Sequence, residues 1–412
     1  MSADFGASEK AFSPLTIGPI TLRNRFIKSA TNEGMSVDCY PSKMLVEWHR
    51  RIAAGGIGMT TVAYGAVCPD GRTFPNQLLM RPEGVPHFRK LTDAVHAHGA
   101  AASMQITHGG CFTFLRAFEE RGPLSSSGGF NKVGVLSGRL LRKGMTEADM
   151  DVMAGHYARA AKLAEEAGFD AVEIHMGHGY LLAQFLSPLY NKRRDQFGGP
   201  PDRRAEFPAR VLRRVLDAVG KRVAVVCKLG VTDGVKGGTI AEDAAIFAKR
   251  MEREGAHLLV LTGGLNIESI TTMFGSSFPP EARGGAANPI IALGMKLQQL
   301  TEPKNVKFRE LYQLDNSRKV RAAVKMPLAY LGGVTSMDGV SRAMAEGFDA
   351  LTMGRALVYD PGFVNALKGG AERSGCTACN RCVVSMYTPG GTNCVLQHQD
   401  NSAALNAQPA AA

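Results

Sequence analysis

Gly168-Phe169-Asp170-Ala171-Val172-Glu173-Ile174-His175 follows directly on a helix-length run, Glu147–Ala167, that opens with Thr146-x-x-Asp149. A threonine followed three residues later by an acidic side chain forms a reciprocal N-terminal cap, and a glycine after the last turn adopts the left-handed geometry that stops a helix. The short apolar run after Gly168 then reads as a strand. The same order recurs at Met337–Glu346, Gly347 and Phe348-Asp349-Ala350-Leu351-Thr352-Met353. Working outward from these two copies, eight strands are expected, at Phe26–Ala30, Gly58–Ala63, Ala101–Ile106, Ala171–His175, Val223–Leu229, Leu258–Thr262, Leu328–Gly332 and Ala350–Met353. Strands alternating with helices make a parallel sheet, and eight of them point to a closed (β/α)8 TIM barrel of the α/β class.

The 412 residues accommodate one such barrel with insertions, and 45% hydrophobic against 21% charged residues describes a chain able to bury a large core. The expected organisation is a barrel over 12–370, a Cys-rich extension over 371–400 and a disordered tail over 401–412. Two connections exceed ordinary turns, His108–Met145 and Gly263–Asn316; both follow strands and are expected to wall the catalytic face. The net charge of +11 is scattered and not interleaved with aromatics, which argues for anionic small ligands and against a nucleic-acid partner. No long apolar stretch or basic-then-apolar leader is visible, so neither a membrane span nor a secretory signal is expected, and the cytoplasm is the expected compartment.

Glu173-Ile174-His175-Met176-Gly177-His178-Gly179-Tyr180 is the most informative segment. On a strand Glu173 and His175 share one face, and the glycines permit a turn that returns His178 and Tyr180 to the same cavity. Two imidazoles and a phenol suit a carbonyl substrate, holding its oxygen and supplying a proton. Satisfied structural histidines, or a metal pair at His-x-x-His spacing, are the alternatives.

This segment, continued by Leu181-Leu182-x-Gln184-Phe185-Leu186-Ser187-Pro188 and Asn191-Lys192-Arg193-Arg194-Asp195-Gln196-Phe197-Gly198-Gly199, resembles the strand-four signature of the old yellow enzyme and dienoyl-CoA reductase superfamily. The resemblance spans roughly Phe12 to Phe363. It implies FMN as cofactor, NADH or NADPH as visiting hydride donor, His175 and His178 on the substrate carbonyl, and Tyr180 as proton donor. It further implies flavin contacts by Ser29, Ala30 and Thr31 after strand one, by Asn32 where relatives often carry Thr, Cys or His, by Gln105 in strand three, and by Lys228 where Arg is common. Phosphate binding falls to Gly332-Gly333 and Gly354-Arg355, after strands seven and eight. No Gly-x-Gly-x-x-Gly follows a strand, so no resident dinucleotide domain is indicated.

Cys376-x-x-Cys379-x-x-Cys382 with Cys394 gives four thiols in a short segment, a metal-ligand pattern that fits a [4Fe–4S] cluster, with zinc as the alternative. Multidomain relatives, the dienoyl-CoA reductases and trimethylamine dehydrogenase, carry a similar cluster after strand eight. The resemblance therefore implies an ene-reductase acting on an α,β-unsaturated carbonyl such as an enone, steroid or dienoyl thioester, with a homo-oligomeric assembly and an electron-transfer protein as partners. An FMN/iron–sulfur amine dehydrogenase or demethylase and a non-catalytic flavin redox partner are the other readings. With one tryptophan, Trp48, and 7% aromatics, no aromatic cage for an amine is visible in the sequence.

Overall fold

Eight parallel strands close on themselves in chain order: β1 (Phe26–Lys28), β2 (Met59–Ala66), β3 (Ala101–Thr107), β4 (Ala171–Met176), β5 (Ala224–Gly230), β6 (Leu258–Thr262), β7 (Leu328–Leu331) and β8 (Ala350–Met353). The computed structural model describes residues 4–119, 122–134, 138–278, 303, 305–386, 388 and 390–397. The helices between strands include α1 (Lys43–Ala54), α2 (Val85–His96), α3 (Glu147–Glu166), α4 (Glu206–Ala218), α5 (Ala241–Arg253), α6 (Leu314–Ala323) and α7 (Met337–Ala345). At the start of α3 the Thr146 hydroxyl accepts from the Asp149 amide and the Asp149 carboxylate accepts from the Thr146 amide, closing the expected capping box. Gly168 (φ +86°) and Gly347 (φ +83°) supply the left-handed step before β4 and β8.

Alternation along each strand sorts the core into two. Val172, Ile174, Cys227 and Leu229 face the helices, whereas Ala171, Ala224, Val226, Leu258 and Val260 fill the barrel interior. An N-terminal hairpin, Leu15–Ile17 paired with Ile20–Leu22, adds Leu15, Ile17 and Leu22 to that interior. The floor is thereby sealed, and ligands must enter at the strands' C-terminal ends. Among the described residues no helix is long and apolar enough to cross a membrane.

The insertion after β3 carries a small three-stranded sheet (Leu124–Ser125, Gly129–Phe130 and Leu141–Gly144). The insertion after β6 carries a short helix, Ile270–Phe274; its residues 279–302 and 304 lie outside the described residues, as does the 401–412 tail. The Cys-rich segment lies against the barrel mouth. Its Thr392 donates from its amide to the Glu33 carbonyl (2.7 Å) and from its hydroxyl to the Asn32 carbonyl (3.0 Å). Gly34 (φ +66°) meets the Met386 carbonyl so closely that a Cβ there would stand 2.0 Å from its oxygen.

The loop after β1 receives these contacts and is itself pinned by a buried ion pair. Lys28 Nζ bonds Glu33 Oε1, both side chains being 1% exposed, and the Thr31 hydroxyl donates to the same carboxylate oxygen at 2.7 Å. Removing one partner of a buried pair strands the other charge in a low dielectric. Lys28→Met should therefore lower stability by about 3–5 kcal/mol, with part of the loss restored in Lys28→Met/Glu33→Gln. Denaturant midpoints of the two variants check this; equal losses would show that the stranded charge is not the cause.

Candidate active site

The barrel mouth holds a cleft of about 1340 Å³, part of it open to solvent. Ser29, Ala30, Thr31 and Asn32 line it from the loop after β1, Gln105 from β3 and Lys228 from β5. His175, His178 and Tyr180 line it from the end of β4, and Gly333, Gly354 and Arg355 from the ends of β7 and β8. Walls also come from both insertions, through Phe112 in the first and Asn266, Met273, Phe274 and Tyr312 in the second. Gly332 stands back from the cavity, its carbonyl accepting from the Tyr330 hydroxyl at 3.1 Å.

The three strand-four groups meet as a cluster. The His175 and His178 rings lie 4.9 Å apart, and the His175 and Tyr180 rings 4.8 Å apart. The turn's unusual backbone falls on His178 (φ +60°) and Gly179 (φ +81°), and not on Gly177. Gly177 is required for closeness instead, since a Cβ there would stand 3.1 Å from Thr262 Cγ2. The Gly177 amide donates to His175 Nδ1 at 3.2 Å, which leaves the ring's proton on Nε2. Burial, reinforced by the neighbouring His178 and Lys228, holds the His175 pKa well below its ordinary value, so the ring is a neutral donor at neutral pH. His178 is depressed by the same burial and by Lys228, and its Nε2 pairs with the Thr262 hydroxyl at 2.8 Å. Among the described residues no three His, Cys, Asp or Glu side chains converge on one ion position, so the His-x-x-His pair gains no third ligand.

Beneath these groups the barrel carries a layer of opposed charge. Glu173 accepts from Gln105 Nε2 at 2.6 Å, and Lys228 Nζ donates to the Ser29 hydroxyl at 3.2 Å. Burial raises the Glu173 pKa, against the pull of Lys228 and Gln105, and lowers that of Lys228, against the pull of Glu173. With its amide nitrogen turned to Glu173, Gln105 has a carbonyl oxygen to offer a ring N–H. Lys228 offers a buried cation. These donors and acceptors around one cavity, with the glycines at β7 and β8, fit FMN. Gly333 (φ +83°) admits no side chain, because a Cβ would meet the Phe308 and Tyr312 rings at 2.9 Å. Arg355 turns Nη2 to the Phe274 carbonyl (2.6 Å) and Nη1 to Asn380 and the Ala378 carbonyl, so its charge sits between the main cavity and the cysteine loop.

The four cysteines line a second cavity of about 280 Å³, and Cys376 and Cys382 also line the large one. Two non-glycine residues of their loop, Ala378 (φ +55°) and Asn380 (φ +61°), are left-handed. The buried Asn380 side chain holds that shape by donating to Ser276. Burial pushes the Cys382 thiol up to about 12, the nearby thiols adding to it and Arg355 opposing. Four thiols around one cavity are a donor set that suits either a [4Fe–4S] cluster or zinc.

Several cavity residues have no motif to announce them. Tyr64 of β2, with Phe74, Phe112 and Tyr180, forms an aromatic wall: Tyr64 to Tyr180 is 5.5 Å and Phe112 to Tyr180 is 5.6 Å between ring centres. Composition alone does not foretell this wall, since a few aromatics suffice when two strand ends and two loops collect them in one place. Trp48, by contrast, is buried among the outer-core residues.

Residues 10–295 match the NADH:flavin oxidoreductase / NADH oxidase family. The chain is similar to the 4,4'-dithiodibutanoate disulfide reductase of Rhodococcus erythropolis, 38% identical over 397 residues that cover 94% of each chain. It is 28% identical to the NADH oxidase of Thermoanaerobacter brockii over 90% of its own length, and spans about half (52%) of that protein. The fold matches the old yellow enzyme homologue from Zymomonas mobilis with a TM-score of 0.70 at 17% identity, covering 95% of this chain and 99% of that one.

Burial also depresses His49, on α1, whose Nδ1 pairs with the Thr60 hydroxyl at 2.7 Å. The unfolded chain protonates this ring near its ordinary value while the folded state resists, so acidification below about pH 6.5 costs stability through His49. His49→Gln should therefore gain on the native protein between about pH 7 and pH 5, by up to roughly 1.4 kcal/mol per pH unit. Thermal midpoints of the two proteins across that range measure it; parallel profiles would refute the assignment.

Proposed function

Since the chain belongs to the NADH:flavin oxidoreductase / NADH oxidase family, and is by that membership a flavin-dependent oxidoreductase, we propose that it is an FMN-dependent ene-reductase of α,β-unsaturated carbonyl compounds. The observation that carries this reading is the cluster of a neutral Nε2–H donor on His175, the adjacent His178 and the phenol of Tyr180 in a cavity that also holds Gln105 and Lys228. Bound FMN, reduced by NADH or NADPH, would supply the hydride to the substrate's β carbon. His175 and His178 hold the carbonyl oxygen and stabilise charge as it develops there, and the largely apolar walls around them strengthen those hydrogen bonds. Tyr180 delivers its hydroxyl proton to the α carbon. Gln105 and Lys228 would hold the pyrimidine side of the flavin, with Ser29, Ala30, Thr31 and Asn32 along its edge. Gly333, Gly354 and Arg355 would receive its phosphate.

Cys376, Cys379, Cys382 and Cys394 would hold a [4Fe–4S] cluster. Two of them border the flavin cavity, which supports electron exchange between the two sites and, through the cluster, with an electron-transfer protein.

A second substrate class draws support from the 38% identical relative, which is named a disulfide reductase. For an organic disulfide, hydride would cleave the S–S bond and Tyr180 would protonate the departing thiolate.

Anaerobic spectra with iron and acid-labile sulfide analysis test the cofactors, and Cys379→Ser should lose iron and sulfide. In stopped-flow half-reactions Tyr180→Phe should slow oxidation of the reduced protein by an enone by roughly 10²–10⁴-fold, leaving reduction by NADH or NADPH unchanged. Failure to bind FMN would end the reading, and turnover of dithiodibutanoate without any enone would replace it with the disulfide one.

A further inference from the structure

β2 is bulged. Its pairing with β3 shifts register between Val62 and Gly65, so that Tyr64, which simple alternation would send outward with Val62, turns into the cavity beside Tyr180. A bulge that re-aims one side chain at a reactive group asks what that side chain does there. Tyr64 is 6% exposed, and the two phenols pack at 5.5 Å between ring centres, near enough for the Tyr180 phenol to act on the Tyr64 hydroxyl. Its hydroxyl also pairs with Thr73 Oγ1 at 2.6 Å. Thr73 in turn gives its hydroxyl hydrogen to Gln77 Oε1 (2.9 Å), and Gln77 Nε2 returns to the Tyr64 carbonyl at 3.2 Å. With the Thr73 hydrogen committed to Gln77, Thr73 accepts from Tyr64, and the Tyr64 hydrogen has two acceptors to choose between.

On the far side Tyr64 borders a separate cavity of about 710 Å³, lined by polar groups of Glu33, Ser36, Asn76 and Gln77. The ring therefore stands as a partition between that side cavity and the proton donor proposed above.

Resting on the ene-reductase reading, we propose that Tyr64 is the positioning and relay residue for Tyr180. As Tyr180 gives its proton to the substrate's α carbon, its oxygen becomes the stronger acceptor, and Tyr64 transfers its own hydrogen from Thr73 to it. The O–H bond of Tyr64 breaks and that of Tyr180 re-forms; Tyr64 then recovers a proton from solvent in the side cavity. One hydride and one solvent proton are consumed per alkene reduced. Other titratable groups facing the pair are His175, His178 and Lys228 from the main cavity and Glu33 across the side cavity.

The test uses the holoprotein reduced by NADPH and mixed with 2-cyclohexenone. Tyr64→Phe should slow this half-reaction roughly 10- to 100-fold, the worth of one hydrogen bond to a charged oxygen, and move its pH profile, while flavin reduction by NADPH keeps its native rate. In the native protein the rate should fall along a bowed line as deuterium oxide replaces water, because two protons move together. Native rate and pH profile in Tyr64→Phe, or a straight line in the native protein, would overturn the relay. Tyr180→Phe run alongside separates the two ideas: if it too is unaffected, donor and relay both fall, whereas if it alone is slowed only the relay falls.

Discussion

The buried bond between Lys28 and Glu33 is the constraint on which the mouth of the barrel depends. It ties the end of β1 to its own loop five residues on, and the loop so fixed carries Ser29 to Asn32 along one side of the main cavity. The same loop presents the carbonyls of Asn32 and Glu33 to Thr392 and leaves at Gly34 the gap that Met386 fills. One ion pair thus supports one wall of the main cavity and the seat of the cysteine segment together. Such pairs add little net stability over a well-packed apolar alternative, and their value here is in specifying a single loop position.

Alternation along the strands explains the vertical order of chemistry in the barrel. On β4 the inward positions rise from Ala171 to Glu173 to His175, and on β5 from Ala224 through Val226 to Lys228. Small and aliphatic groups fill the floor, opposed charges form the next layer, and polar donors reach the mouth. Glu173 lies beside Gln105 and Val226 in register, and His175 beside Lys228, so the places of the two charges are set by strand pairing and not by loop conformation. In so dry a setting neutral imidazoles are the cheaper donors, since an imidazolium would lack a full counter-charge.

The barrel was largely legible because its signals are local. Capping residues, terminal glycines and apolar alternation placed all eight strands to within a few residues, and the strand-four segment announced its own cluster. What escaped reading depends on non-local geometry. Period-two alternation sends Tyr64 outward, and only the bulge against β3 reverses it. Lys28 and Glu33 are five apart across the end of a strand, a spacing with no periodic signature. Arg355 lines the main cavity as expected, but the four acceptors from two distant segments that fix its amino groups have no local signature. The Thr262 partner of His178 comes from β6, 84 residues away, and no pattern in either segment points to the other.

The contact between Thr392 and Asn32 joins residues 360 positions apart. At ordinary elongation speeds of roughly 5–20 residues per second, a ribosome would need roughly 20–70 s to travel from one to the other. The eighth strand, Ala350–Met353, is finished only 39 residues before Thr392, so closure of the barrel and its covering by Cys376, Cys382, Met386 and Thr392 fall at nearly the same point of synthesis. The loop after β1, made among the first, therefore waits for its last sheet neighbour and its cover until the same late stage.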